Sequence, residues 1–201
     1  SIISHQLGTP LSIFRMTLGV VEKACAEEAR PHPISEYLKT LTDTTDTMIG
    51  LVQSLIEVGR IEAGRLALKK EVFRLDDLTR NMAEDFGKYA GANNITLAVD
   101  VSPALPDVAA DRERIKMAVQ NLMDNAIRYS PAGGIVRVAV RRGGKDNSRV
   151  RWSVMDDGAG IPPAEQKYVF QKFFRAGNAS NYNTHGSGIG LYIAKAVVEA
   201  S

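Results

Sequence analysis

Two apolar stripes separated by a proline-rich break constrain the first part of this chain more than any other feature. The first stripe recurs every three or four residues, at Leu7, Leu11, Phe14, Leu18, Val21 and Cys25. Arg30–Pro33 interrupts it, because proline cannot continue a helix and restricts the residue before it. A second stripe follows on a similar repeat, at Ile34, Leu38, Leu41, Met48, Val52 and Leu55. Such spacing is typical of coiled-coil helices, so the pattern predicts a helical hairpin.

A single hairpin of this kind leaves its apolar stripes poorly covered. A second copy of the chain covers them when two hairpins associate as a four-helix bundle. The sequence therefore predicts a homodimer formed through the hairpin.

The pattern changes after Gly64 to short segments that alternate between strand and helix character. Strands are predicted at Leu66–Phe73, Ile95–Val101, Ile135–Arg141 and Arg149–Met155. Helices are predicted at about 76–91, 111–129 and 188–200, with Asp111 as the N-cap of the second. Mixed strands and helices favour an α+β fold in which helices cover one face of a sheet. We expect two domains, residues 1–66 and 67–201, with the boundary near Gly64–Lys70.

Composition excludes several classes of function. The formal net charge of +2 is too small to indicate a nucleic-acid or membrane-binding surface. Cys25 is the only cysteine, which excludes disulfides within the chain and thiolate metal clusters. No apolar run is long enough to cross a bilayer, and no signal peptide is present, so we expect a cytoplasmic fragment. Any anchoring of the full-length protein at the inner membrane would require segments upstream of Ser1.

The segment Asn121–Pro131 contains a candidate nucleotide site. Asn121 and Asn125 are four residues apart on one predicted helix, so both amides point the same way. Neutral amide oxygens can complete the coordination shell of a magnesium ion that a triphosphate already holds. The alternative is that the two asparagines only line a polar helix face.

Two glycine-rich segments suggest the rest of such a site. In Asp156–Ile161, glycines after a strand let backbone approach a flat ligand, and a carboxylate can accept from an amino group. An ordinary turn is the alternative there. Gly186–Leu191 opens the last predicted helix, where free N–H groups and the positive end of the dipole favour phosphate. A flexible loop is the alternative in this case.

These segments, in this order and spacing, resemble the N, G1 and G2 boxes of the ATP-binding domain shared by histidine kinases, gyrase, Hsp90 and MutL proteins. Phe170–Arg175 resembles the F box of histidine kinases. The resemblance implies that ATP and Mg²⁺ are cofactors, with Asn125 as the magnesium ligand and Asn121 assisting. It also implies that Asp156 receives the adenine amino group. The other expected nucleotide contacts are Arg128, Tyr129, Gly158, Gly160, Ile161, Phe174, Arg175, Gly186, Ser187, Gly188, Gly190 and Leu191, and residues 175–185 would form a mobile lid.

The segment Ser4–Leu11 resembles the H box of the dimerisation and phosphotransfer domain of the same kinases. His5 precedes Leu7 by two positions, about 200° around a helix, so it faces away from the apolar stripe. Pro10 lies one turn further and kinks the helix just past this imidazole. The resemblance implies that His5 is phosphorylated by ATP and passes the group to an aspartate in the receiver domain of a response regulator. His32 lies between two prolines and His185 in the expected lid, so neither competes for this role.

The H box departs from the family pattern at two positions. Gln6 stands where most members have an acid that holds the imidazole proton, and Gly8 stands where arginine is usual. Both departures predict slow autophosphorylation. Thr9, on the same face as His5, has the position that in related kinases helps to place water for dephosphorylation of the partner.

Two other functions remain compatible with the sequence. A gyrase-type or Hsp90-type ATPase would place a glutamate where Asn121 stands, to activate water, and asparagine has no basic electron pair for that task. A nucleotide-binding pseudokinase scaffold is the other alternative. The end of the chain at Ser201 predicts that the last strands of the ATP-binding domain are missing, which would leave an open sheet edge.

Overall fold

The computed structural model describes residues 11–21, 23, 34–64, 67–144, 148–179 and 186–201, with the backbone alone at 34–36. Contacts divide the chain into two compact units, Ser1–Glu62 and Ala63–Ser201. Within the described ranges, none of the helices has the length and apolar character that a membrane span requires.

The first unit is helical throughout its described part. Helix α1 covers 11–21, and helix α2 covers Ile34–Glu62, so the two predicted helices are present. The break at Arg30–Pro33 lies outside the described residues, as do His5, Gln6 and Thr9. Two members of the predicted stripe on α1, Leu11 and Leu18, are exposed in the single chain.

The second unit contains two small sheets. Strands β1 (Glu71–Phe73) and β3 (Val108–Ala110) pair antiparallel over three residues each. Strands β2 (Thr96–Val101), β4 (Ile135–Gly143) and β5 (Arg149–Met155) form the main sheet in the order β2-β4-β5. The β2–β4 pair is parallel, which requires the long crossover that a helix provides, and the β4–β5 pair is antiparallel.

Three helices accompany these strands: α3 (Leu75–Ala92), α4 (Arg112–Tyr129) and α5 (Gly190–Ala200). Helices α3 and α4 cover the sheet face on which Val136, Val138 and Val140 are fully buried. Met123 of α4 is fully buried among these residues, and α5 packs against α4. The observed architecture is the predicted α+β fold, with helices on one face of a mixed sheet.

The predicted elements are mostly confirmed, with two corrections at the first sheet. The strand predicted at Leu66–Phe73 forms only at Glu71–Phe73, and residues 67–70 are not strand. Strand β3 was not predicted, because three residues carry no periodicity of their own. Each of these short strands is defined by pairing with the other, which a local pattern does not reveal.

Asp111 joins the first sheet to α4. Its Oδ1 accepts from the backbone N–H of Arg114 at 3.0 Å, which confirms the predicted N-cap. Its Oδ2 accepts from the backbone N–H of Lys69 at 2.8 Å. Burial raises the pKa of Asp111, but these N–H donors outweigh burial and hold the pKa below its usual value.

Replacing Asp111 is expected to destabilise the second unit and to change its response to acid. Asp111→Ala removes both hydrogen bonds and should lower the free energy of unfolding by about 1–2 kcal/mol. Because the folded pKa is depressed, the carboxylate contributes stability above the unfolded pKa of about 4, and this contribution disappears as the pH falls through the folded value. Urea unfolding at several pH values should give a shallower acid dependence for Asp111→Ala than for the wild type. If the free energy of unfolding had the same pH dependence in Asp111→Ala and in the wild type, this prediction would be contradicted.

Candidate functional site

The two asparagines of α4 are both half-buried on the same side of the helix. A Cβ atom added to Gly190 would lie 3.1 Å from Oδ1 of Asn121, so this side chain lies directly against the first residue of α5. The motif on α4 and the glycine-rich segment before α5 are therefore neighbours. Only a glycine at position 190 leaves the amide oxygen of Asn121 in this place without displacement.

The last turn of α4 carries the predicted phosphate-side residues. Arg128 is exposed, and its Nε donates to Oδ1 of Asp124 at 2.8 Å. Partial burial of the guanidinium lowers the pKa of Arg128, but the hydrogen bond and charge of Asp124 outweigh this effect and raise the pKa above its usual value. The hydroxyl of Tyr129 would lie 3.4 Å from a Cβ placed on Gly186, so Tyr129 reaches the segment that leads into α5.

Asp156 and Asp157 have different partners, although they are adjacent in sequence. Asp157 accepts from the backbone N–H of Ile135 at 3.1 Å and from Nη1 of Arg137 at 3.2 Å, so it fastens the loop to β4. Asp156 is exposed, and its Oδ1 accepts from the N–H of Gly158 at 3.0 Å. Among the residues that the structure describes, Oδ2 of Asp156 has no partner and can accept from a ligand.

Gly158 lies where no other residue fits. An added Cβ would lie 2.6 Å from Oδ1 of Asp156 and closer still to the carbonyl oxygen of Tyr129. The loop after β5 is thus in close contact with the last residue of α4. Gly160, two residues further, has a φ of +62°, a conformation that favours glycine.

The segment with F-box character also contacts the glycines before α5. Phe173 has a φ of 63°, and the ring of Phe174 packs on that of Tyr168 with centroids 5.9 Å apart. A Cβ added to Gly188 would lie 2.7 Å from the carbonyl carbon of Phe173 and from the carbonyl oxygen of Phe174. Gly188, at a φ of +67°, therefore allows the chain before α5 to cross this segment at backbone contact.

Residues that follow the F-box segment hold the loop after β5. The amide Nδ2 of Asn178 donates to the carbonyl oxygens of Ala159 and Gly160, at 3.3 and 3.0 Å. Oε2 of Glu165 accepts from the N–H of Gly177 at 2.9 Å. No local sequence pattern indicates these side chains, because each bond joins residues at least twelve positions apart.

The remaining predicted site residues flank these contacts. Ser187 Oγ accepts from the N–H of Ile189 at 3.3 Å, Leu191 is half-buried on α5, and Ile161 is exposed. Arg175 is half-buried, and its guanidinium would lie within 3.8 Å of a Cβ on Gly186. Of the predicted lid, 175–179 belong to the described residues and 180–185 do not.

The arrangement brings two glycine-containing segments, 156–160 and 186–190, together at the C-terminal half of α4. The segment 156–160 provides a carboxylate and exposed backbone for a planar group. The first turn of α5 has no side-chain cap, so its N–H groups are available to an anion. A ligand with a flat polar base and a phosphate chain matches both ends of this site.

Comparisons with known proteins identify the same segments. Residues 110–201 match the family model "Histidine kinase-, DNA gyrase B-, and HSP90-like ATPase". Residues 1–64 match the model "His Kinase A (phospho-acceptor) domain".

Relatives are similar over all or most of the chain. Sensor histidine kinase GacS of Pseudomonas protegens is 30% identical over 98% of this chain, which spans 21% of that protein. Mycobacterial sensor histidine kinase MprB has a solved structure that is 31% identical, with a TM-score of 0.54 over 65% of this chain and 79% of its own. The structure of ShkA in complex with AMPPNP is 26% identical, with a TM-score of 0.68 over 98% of this chain and 41% of its own.

Proposed function

Because this chain belongs to the sensor histidine kinases of two-component systems, we propose that it transfers the γ-phosphoryl group of ATP to His5. The group then passes to an aspartate in the receiver domain of a response regulator. The contact between Asn121 and Gly190 carries this proposal, since it joins the asparagine motif to the end of α5 that is proposed to bind phosphate. An amide at this point cannot act as a base toward water, which favours transfer to a protein nucleophile over hydrolysis.

The base of ATP is assigned to the loop after β5. Oδ2 of Asp156 is available to accept from the adenine amino group, and the N–H of Gly158 fixes the carboxylate in place. Gly160 and Ile161 lie beside the base. ShkA, a relative whose structure contains the ATP analogue AMPPNP, supports the choice of nucleotide.

The triphosphate is assigned to the first turn of α5 and the end of α4. The backbone of Gly186–Leu191 offers N–H donors other than that of Ile189, which is bonded to Ser187, while Arg128 and Tyr129 lie at the end of α4. This placement puts the phosphates between the two helices that pack together in the second unit.

Asn125 is proposed to bind Mg²⁺, with Asn121 assisting. No group of three or more His, Cys, Asp or Glu that could hold a metal occurs in the described parts of the chain. Amide oxygens fit an ion that arrives with the triphosphate, because most of its remaining ligands are then phosphate oxygens and water. Such an ion neutralises phosphate charge while the protein positions the reacting groups.

In the proposed reaction a ring nitrogen of His5 attacks the γ-phosphorus in line, and ADP leaves. Positioning and charge neutralisation supply most of the catalysis in such transfers. Gln6 can orient the imidazole but cannot neutralise the imidazolium that forms. Thr9, one turn from His5, is assigned to dephosphorylation of the response regulator, where it helps to place a water molecule.

An exposed stripe on α2 supports a homodimer. Leu38, Ile49, Val52 and Ile56 are each between 45% and 52% exposed in the single chain. With Thr42 and Thr45 they repeat every three or four residues, next to a half-buried stripe of Leu41, Met48, Leu51 and Leu55. The hydroxyl of Thr45 donates to the carbonyl of Leu41 at 2.7 Å, so it needs no polar partner at an interface. We assign this stripe to a four-helix bundle with a second copy, and residues 1–66 to the dimerisation domain.

Incubation of the chain with γ-labelled ATP and magnesium tests the proposed function. Label that stays on the protein, is lost in acid and persists in alkali would support phosphohistidine formation. Release of free phosphate without labelled protein would indicate an ATPase, and neither product would indicate a scaffold. Addition of a receiver domain should then move the label to an acid-stable acyl phosphate only in the first case.

Restoring the acid beside His5 is expected to accelerate autophosphorylation. Gln6→Glu supplies a carboxylate that holds the imidazole proton and should raise the initial rate by about tenfold or more. The rate of acid-labile label formation at saturating ATP measures the effect. Gln6→Ala is the control, because it removes orientation without adding charge and should be slower than the wild type. An unchanged rate in Gln6→Glu would show that the missing acid does not limit the reaction.

A further inference from the structure

We propose that Asn178 is a positioning residue that holds the loop after β5 in the form that binds the base of ATP. The inference rests on the proposed nucleotide site and deepens it, since it gives a role to one residue of the predicted lid that lies outside the recognised boxes. Asn178 does not touch the base in this proposal. It acts through the backbone of Ala159 and Gly160.

Asn178 provides the two donors of one side-chain amide to two consecutive carbonyls. The distances from its Nδ2 are 3.3 Å to Ala159 O and 3.0 Å to Gly160 O. Asn178 is half-buried, and the next residue, Ala179, is only 7% exposed. Both N–H groups of the amide are used, which fixes the orientation of the two peptide groups.

These peptide groups need support from outside the loop. Within the described residues, the segment after β5 pairs with no strand, and Gly160 adopts a φ of +62°, a conformation that a flexible glycine can leave easily. Asp156 and Gly158, which receive the base, lie within four residues of Gly160. A change in the peptide plane at Ala159 or Gly160 would therefore displace Asp156 and Gly158, the residues proposed to bind the base.

Two neighbouring contacts make Asn178 part of a continuous connection. Glu165 accepts from the N–H of Gly177 at 2.9 Å, and Nε2 of Gln166 donates to the carbonyl of Ile161 at 3.1 Å. Carbonyls of three consecutive loop residues, 159–161, thus accept from side-chain amides. Hydrogen bonds thus connect the segment that follows the F-box segment to the base-binding loop. Because of these bonds, an ordered conformation of either segment stabilises the other.

Replacement of Asn178 should weaken ATP binding without a matching loss of fold. For Asn178→Ala we expect the Kd of ATP and the KM for ATP to rise about tenfold, while the rate at saturating ATP changes less than about twofold. At neutral pH, Asn178→Asp should bind ATP no more tightly than Asn178→Ala, since a carboxylate then faces two carbonyl oxygens. Its ATP affinity should partly recover in mild acid, where the protonated group can donate again.

Asn93→Ala is the matched control. In the wild type, Nδ2 of Asn93 donates to the carbonyl of Tyr89 at 2.8 Å at the end of α3. The Asn93→Ala variant therefore loses an amide–carbonyl hydrogen bond of the same kind, away from the proposed site. Calorimetry with ATP and thermal unfolding are measured for each variant. An Asn178→Ala chain that binds ATP like the wild type, or whose affinity falls only in step with its Tm as in Asn93→Ala, would overturn the inference. Failure of the wild type to bind ATP would instead refute the proposed function.

Discussion

Gly158→Ala is expected to weaken ATP binding by about 100-fold, which corresponds to roughly 2.7 kcal/mol. The new methyl group would lie 2.6 Å from Oδ1 of Asp156 and closer to the carbonyl oxygen of Tyr129. The carbonyl belongs to the last turn of a packed helix, so the loop and the carboxylate must move instead. Overpacking of this kind costs about 1–3 kcal/mol, and displacement of Asp156 removes a hydrogen bond from a charged acceptor.

Gly160→Ala is the control that separates this steric effect from a general effect of replacing any glycine in the loop. A Cβ at Gly160 would meet nothing within 4 Å, although its φ of +62° makes any side chain strained. We expect a smaller loss of ATP affinity, about 5- to 30-fold at most, because a left-handed residue costs about 1–2 kcal/mol. Isothermal titration with ATP measures both variants, and circular dichroism checks that they are folded. Equal losses at the two glycines would contradict the role of the contact with Tyr129.

The sequence predicted those parts of the fold that depend on local patterns. Helix α4 was placed within one residue, because Asp111 is an N-cap and the apolar spacing is helical. The strands before and after the turn at Gly144 were also correct, since each has alternating or buried apolar residues. Strands β1 and β3 were incomplete or missed, because three-residue strands are stabilised by their pairing rather than by their own sequence.

In the candidate site, too, local motifs were predictable from the sequence and tertiary contacts were not. Motifs and family resemblance indicated Asn121, Asp156 and the glycines before α5, and the structure brings these segments together. Sequence alone did not show that Asp157 fastens the loop to β4 while Asp156 stays available. Nor did it indicate Asn178, since an asparagine in a polar segment has no pattern that marks a contact eighteen residues away. Such tertiary hydrogen bonds are visible only when the loops have been placed.

His5→Ala is expected to abolish acid-labile labelling while ATP binding stays within about twofold of the wild type. The predicted acceptor lies in the segment that matches the phospho-acceptor model, whereas the contacts assigned to ATP all lie in the second unit. Removing the nucleophile therefore leaves every proposed ATP contact in place. Labelled ATP, acid treatment and titration calorimetry measure the two properties separately.

Of the three histidines in the chain, His32 provides the control for His5. His32→Ala should keep the label, because this residue lies between two prolines and outside the family motif. Asn125→Ala should lose both label and ATP affinity, since it removes the proposed magnesium ligand from α4. Comparison of His5→Ala with Asn125→Ala therefore distinguishes the loss of the phosphoryl acceptor from the loss of the nucleotide site. Persistent acid-labile label in His5→Ala would show that another residue accepts the phosphoryl group, and loss of ATP affinity in that variant would show that the two units do not act separately.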